Sequence, residues 1–287
     1  MAARAALSTG LGRLTDWARW LARHPSVTIG GALVAALLLT SLLAPLIAPA
    51  ASPLAQDLYH PFAGVSWRHP FGTDALGRDI ATRVIYGARY SLLEAGACIA
   101  LAASIGTLLG LAAGVAGGLA DQVLMWLMDV LFAFPGLVLA LLVVSLLGPG
   151  LVNVLLAISL FSIPVYARLA RNQAVALRKA DYVEAAVAMG AGLPRIMFRH
   201  ILPNAAGPIL VQCTVSAGSV ILMAASLSFL GLGVQPPAPE WGAMMSDGRN
   251  YVGAYLLPSL FPGLAITLAV LGFSLLGEGL RGLGDRR

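Results

Sequence analysis

Uncharged apolar runs dominate the chain, and they recur at lengths that suit a bilayer. A helix crossing the hydrocarbon core needs about 20 largely apolar residues. Six stretches free of Asp, Glu, Lys and Arg meet or approach that length: 27–47, 95–115, 130–147, 151–167, 206–234 and 255–277. The pattern predicts an all-α, polytopic membrane bundle of six transmembrane helices. Its parts are a leader over 1–26, a first span over 27–47, a loop over 48–90, a core over 91–280 holding the other five spans, and a tail over 281–287. Pro208 marks a bend in the fifth stretch, and Pro258 and Pro262 make an irregular start to the sixth, where freed backbone groups need protein or water partners. Gly106, Gly110 and Gly114 recur at four-residue spacing on one helical face and permit a neighbouring helix to approach closely. Ala48-Pro49-Ala50 resembles a small-residue cleavage site, but the apolar run before it exceeds the roughly 7–15 residues of a signal peptide, so a retained first span is expected.

Charge sets the orientation. With the N-terminus inside, loops on the inner side collect thirteen of the basic residues and the outer side five, and cytoplasmic loops carry the excess. An N-in, C-in topology follows, with the arginines of 68–89 on the disfavoured side. Composition agrees with a membrane chain: 59% of residues are hydrophobic and 11% charged, where soluble domains carry about 25% charged. An ordinary soluble enzyme is thereby excluded. The basic balance is 18 Lys and Arg against 13 Asp and Glu. It is not a nucleic-acid signal, because the arginines flank apolar runs and form no stripe with interleaved aromatics.

Candidate chemistry is sparse. The sequence holds no Gly-x4-Gly-Lys-Ser/Thr phosphate loop, no His-Glu-x-x-His pair and no Gly-x-Ser-x-Gly turn. Cys98 and Cys213 lie in apolar stretches without metal or redox spacing. No catalytic or metal site is expected, and the energy for any transport must come from another polypeptide. Glu94, Asp129 and Glu278 are the ionisable residues nearest to the spans; they suit either bundle stabilisation or a translocation path.

The most patterned polar segment is the connection over 168–204, which reads DYVEAAVAMGAGLPRIMFRHILP from Asp181 to Pro203. Asp181 suits an N-cap, with Glu184 three residues on in capping-box position. Tyr182, Ala185, Ala186 and Met189 fall at i, i+3, i+4 and i+7 and form one stripe. Gly190 and Gly192 can end this helix and Pro194 can start a second short one. The pattern fits an amphipathic segment on the membrane surface, with Arg195 and Arg199 toward lipid phosphates, and it fits a helix that docks on a partner.

Glu184-Ala-Ala, three residues, Gly190, nine residues, then His200-Ile-Leu-Pro resembles the cytoplasmic loop signature of binding-protein-dependent ABC importer permeases. Histidine at position 200, where the family usually has a hydrophobic residue, is similar to the peptide-transporter branch. HPFGTDALGRDIATRVIYGARYSL over 69–92 and LSFLGLGVQPPAPEWGAMMSDGR over 227–249 resemble the corresponding regions of dipeptide, oligopeptide and nickel permeases. The resemblance covers roughly 68–280. It implies a type I importer permease in the prokaryotic inner membrane, acting as one half of a pore for di- or oligopeptides, or for nickel, an opine or another small solute. It also implies a second homologous permease subunit, an external solute-binding protein, and two cytoplasmic ATPase subunits or domains that bind ATP and Mg, with no cofactor on this chain. A coupling helix between the fourth and fifth spans would carry ATPase contacts at Asp181, Tyr182, Glu184, Ala185, Ala186, Met189 and Gly190. The external motif would comprise Gly72, Thr73, Asp74, Gly77, Arg78 and Asp79.

The physical reading of these outer stretches leaves two roles open. Thr73 or Asp74 can cap a short helix, and Asp74 with Arg78, like Asp79 with Arg83, has i,i+4 spacing. Such pairs make a structural plug or a contact for the binding protein. Glu240, Trp241 and Asp247 suit an outer gate, while a Trp at that place also suits a membrane anchor. An autonomous secondary carrier is the rival from another class, and it would work without nucleotide or partners.

Overall fold

The computed structural model describes residues 23–48 and 52–284. Most of the leader 1–26, Pro49 and Ala50 of the small-residue triplet, and the last residues of the tail 281–287 lie outside the described residues. Among the described residues the regular structure is helical, apart from one isolated antiparallel bridge between Thr73 and Asp79. Helix α1 covers Pro25–Ile47, α2 Ile80–Ala116, α3 Gly118–Phe132, α4 Gly136–Leu147, α5 Leu151–Leu177 and α6 Asp181–Ala188. Helix α7 runs over Leu193–Phe229, α8 over Trp241–Gly248 and α9 over Leu257–Gly284. Five of these are long and apolar enough to cross a membrane, and a sixth span exists if α3 and α4 together count as one.

Three boundaries depart from the sequence pattern. The third span, expected over 130–147, is two helices that meet at 88°. Pro135 has no N–H to continue the helical ladder, and an added Cβ at Gly136 would run into the Phe161 ring. Helix α2 starts at Ile80, well inside the segment expected as loop. The Asp79 carboxylate caps it, accepting from the Thr82 amide at 2.7 Å. The helix has 37 residues. At that length it rises about 55 Å against a hydrocarbon core of about 30 Å. The connection over 168–204 is also mostly helical: α5 continues to Leu177 and α7 opens at Leu193, so only 178–180 and 189–192 link α6 to its neighbours. Pro194 stands in the first turn of α7, which is one continuous helix wound in π form over Ile196–Ile201, and no separate second short helix forms.

Packing follows the small residues. A Cβ added at Gly106, Gly110 or Gly114 would strike the α5 backbone or side chains at Ile163, Ala167 and Arg171, so α2 and α5 touch along that glycine stripe. Gly30 of α1 presses in the same way on α9 at Gly272 and Leu276. Two apolar clusters result. One gathers Ile80, Cys98, Ile158, Ile221, Leu227 and Trp241 near α8; the other gathers Leu111, Met128, Tyr166, Val183, Ile196 and Ile201 near α6. Ion pairs tie α5 to α3 beside the second cluster. The Arg171 guanidinium donates to both carboxylate oxygens of Asp121, at 3.0 and 2.6 Å, and Arg168 donates to Asp129 while lying over the Phe132 ring.

Candidate functional site

At the α6 end, the cap expected from Asp181 is not made. Ala180 is the N-cap residue, its carbonyl accepting from the amides of Val183 and Glu184, while Asp181 and Glu184 occupy the first turn. Acidic side chains there oppose the positive end of the helix dipole. The other terminus follows the spacing of the glycines. Gly190 adopts φ 82°. Its amide donates to Val187 O at 2.9 Å, and Ala191 donates to Ala186 O at 3.0 Å. These are the paired bonds of a left-handed helix stop.

The faces of α6 differ from the stripe that periodicity alone picks out. Val183 and Ala186 are buried, and Val183 joins the cluster of Ile196 and Ile201. Ala186, 4% exposed, turns inward with Val183 and so leaves the exposed stripe. Asp181, Glu184, Ala185 and Ala188 face outward, with Tyr182 and the 82% exposed Met189 at the edges. Asn204 donates to the Tyr182 hydroxyl at 3.3 Å and to His200 O at 2.7 Å, which braces Tyr182 against the start of α7.

At the α8 end, residues of 69–92 and 227–249 come together. Gly72 and Gly77 take φ of 78° and 68°. Gly77 closes a turn by donating to Asp74 O, and an added Cβ there would collide with the Asp57 backbone. Thr73 is no cap; its hydroxyl donates to His60 O at 2.9 Å and accepts from the Ala63 amide at 2.7 Å, stapling the loop. Asp74 caps no helix either. Its carboxylate accepts from the Leu76 and Arg78 amides at 2.9 and 3.0 Å and from Arg78 Nε at 2.6 Å. Asp79 pairs with His69 Nδ1 at 3.0 Å and not with Arg83. The Arg83 side chain turns instead to Asp74 and to the carbonyls of Pro53 and Pro237.

Arg78 also reaches Asp247 of α8 at 3.3 Å. Glu240 is the N-cap of α8, accepting from the Gly242 and Ala243 amides at 2.8 Å each and from the Ser91 hydroxyl at 3.3 Å. Burial pushes the Glu240 carboxyl above its ordinary range despite these bonds. Trp241 is not an interfacial anchor. It is 1% exposed, donates its indole N–H to Val84 O at 3.0 Å, and sits over Gly87, where a Cβ would meet the indole. Sequence reasoning paired Arg83 with Asp79 and missed Ser91, because both side chains find their partners through contacts distant in the chain. It also missed that Glu94 is 2% exposed with neither carboxylate oxygen hydrogen-bonded. Among the described residues no cluster of His, Cys, Asp and Glu has the makings of a metal site.

Residues 106–287 match the family model described as "Binding-protein-dependent transport system inner membrane component". The chain is 42% identical to the probable D,D-dipeptide transport system permease protein DdpC of Escherichia coli K12, over 93% of this chain and 89% of that protein. It is 44% identical to the glutathione transport system permease protein GsiD of Pectobacterium atrosepticum, over 92% of this chain and 88% of that one. The dipeptide transport system permease protein DppC of Alkalihalophilus pseudofirmus is 44% identical over 76% of this chain and 72% of its own length. A chain of the inward-facing MetNI methionine ABC transporter is 19% identical with a TM-score of 0.48, covering 68% of this chain and 91% of that one. With a family match over more than half its length and close identity to several transport permeases, the chain belongs to the binding-protein-dependent ABC importer permeases, as a multi-pass inner-membrane transport subunit and not an enzyme.

Proposed function

We propose that the chain forms one half of the pore of an ATP-driven importer of di- or oligopeptides, with type I permease architecture. Its termini lie inside, so the leader 1–26, the connection 168–204 and the tail 281–287 face the cytoplasm, and the loop 48–90 and α8 face outward. A second homologous permease completes the pore. Two ATPase subunits or domains bind ATP and Mg, and an external binding protein delivers solute to the outer end, at Gly72–Asp79 and Glu240–Asp247. Helix α6 is the coupling helix and seats in an ATPase cleft through Asp181, Tyr182, Glu184, Ala185 and Met189, with Gly190 fixing its end. The peptide assignment is supported by dipeptide and glutathione permeases among the relatives.

The observation that carries this reading is the two-sidedness of α6. Val183 packs in the cluster of Ile196 and Ile201 and Ala186 is buried too, while small and flexible residues and two acids face outward. Docking alone moves nothing. A conformational equilibrium shifts only through differential affinity, and passing from 1:99 to 99:1 takes about 5.5 kcal/mol. ATP-driven closure of the motor supplies that energy, and α6 hands it to α5 and α7.

Glu184→Lys and Gly190→Val test the role. Each is expected to lower ATPase-subunit association or substrate-stimulated hydrolysis by roughly tenfold, about 1.4 kcal/mol, while membrane insertion is unchanged. Normal uptake by both variants would refute the docking.

A further inference from the structure

Two buried arginines at the α8 end share one buried carboxylate. Arg78 is 5% exposed and Arg83 1%, and Asp74 lies between them, 2.6 Å from Arg78 Nε and 3.8 Å from Arg83 Nε. Arg83 directs Nη1 to the carbonyls of Pro53 and Pro237, which bring no net charge. One positive charge is therefore left over. The remaining charge that faces the pair is Asp247, which touches Arg78 Nη2 at 3.3 Å and has its side chain 40% exposed. Leaving a buried charge without a counter-ion is expensive, so an anion is required at this place, but the one present is its most exposed and loosely held member.

Beside the four groups lies a cavity of about 20 Å³, bounded by Arg78, Arg83, Asp247, Met244 and Tyr251. It has room for about one water molecule. A carboxylate enters only by taking the place of the Asp247 side chain, which has solvent to swing into. Two guanidiniums present the fork of donors that a carboxylate matches.

We propose that Arg78 and Arg83 form a carboxylate-receiving site in which Asp247 is the resident, exchangeable occupant, displaced by the free carboxylate of a small solute such as a peptide C-terminus. The inference rests on the outward placement of α8 and deepens the import reading by giving the permease its own contact with the cargo. Exchange of one carboxylate for another keeps the buried charge balanced at every stage, and it releases α8 from the loop that carries Arg78.

The test is a titration of the assembled transporter, without nucleotide, with dialanine and with its C-terminal amide. Asp247→Asn removes the resident anion and leaves the Asp74–Arg78 pair in place. Its affinity for dialanine is expected to rise on the order of tenfold over the wild type, the scale of one charge-assisted contact, with no gain for the amide. Asp247→Glu restores the competitor and the weaker binding. An equal response to dialanine and its amide, or no gain in Asp247→Asn, overturns the inference, as does a gain seen only in affinity for the external binding protein. A flat titration beside normal uptake removes this site alone, whereas loss of the coupling role is read from the α6 variants.

Discussion

Single residues beside α8 act through bonds that the local pattern displays only in part. Asp74 has the same i,i+4 relation to Arg78 as Asp79 has to Arg83, yet only the first pair forms, because Asp79 is engaged by His69 and by the α2 amide at Thr82. Asp74→Ala removes the counter-ion of two buried guanidiniums and is expected to cost about 3–5 kcal/mol, visible as protease cleavage within 52–79 in an otherwise inserted protein. Glu240 carries a pH dependence of definite sign. Burial raises its carboxyl above the ordinary value of 4.5. The unfolded chain then loses this proton at lower pH than the folded one, and stability falls as pH rises from about 4.5 through the raised value. Thermal unfolding followed against pH is expected to show that decline in the wild type and a flatter profile in Glu240→Gln.

Elements were more legible in the sequence than their edges and faces. Long uncharged runs announce α1, α5, α7 and α9, since nothing but lipid or a membrane core accepts them. The early start of α2 is hidden because Arg83, Arg89 and Glu94 break the apolar pattern, although Arg83 and Glu94 are both buried. The break between α3 and α4 did have a signal, Pro135 followed by Gly136, a dipeptide that marks turns. In α6 the 3.6-residue period finds a helix and Gly190 its end, but the choice of face requires knowing that Val183 joins the cluster of Ile196 and Ile201. That face is testable by cysteine labelling. Ala185→Cys is expected to react with a membrane-impermeant maleimide from the cytoplasmic side only, and Ala186→Cys to stay unmodified; reaction from outside would invert the orientation. For the α3–α5 contact, Asp121→Ala and Arg171→Ala are expected to show a coupling of about 1 kcal/mol in a double-mutant cycle, measured by thermal unfolding, with the charge-swapped pair recovering part of the loss.

At the scale of the molecule, the two apolar clusters sit at the two ends of one bundle, joined along the glycine contact of α2 with α5. Helix α6 belongs to the cluster near its own end through Val183 and is fastened on both sides by very short links, 178–180 to α5 and 189–192 to α7. Such a joint has almost no slack. A push or pull delivered to α6 cannot be absorbed by a floppy tether, so it arrives as tilt or translation of two long rods at once. Lengthening either link by a few glycines would turn a drive shaft into a loose cable, leaving every grip on α6 intact and the far end still.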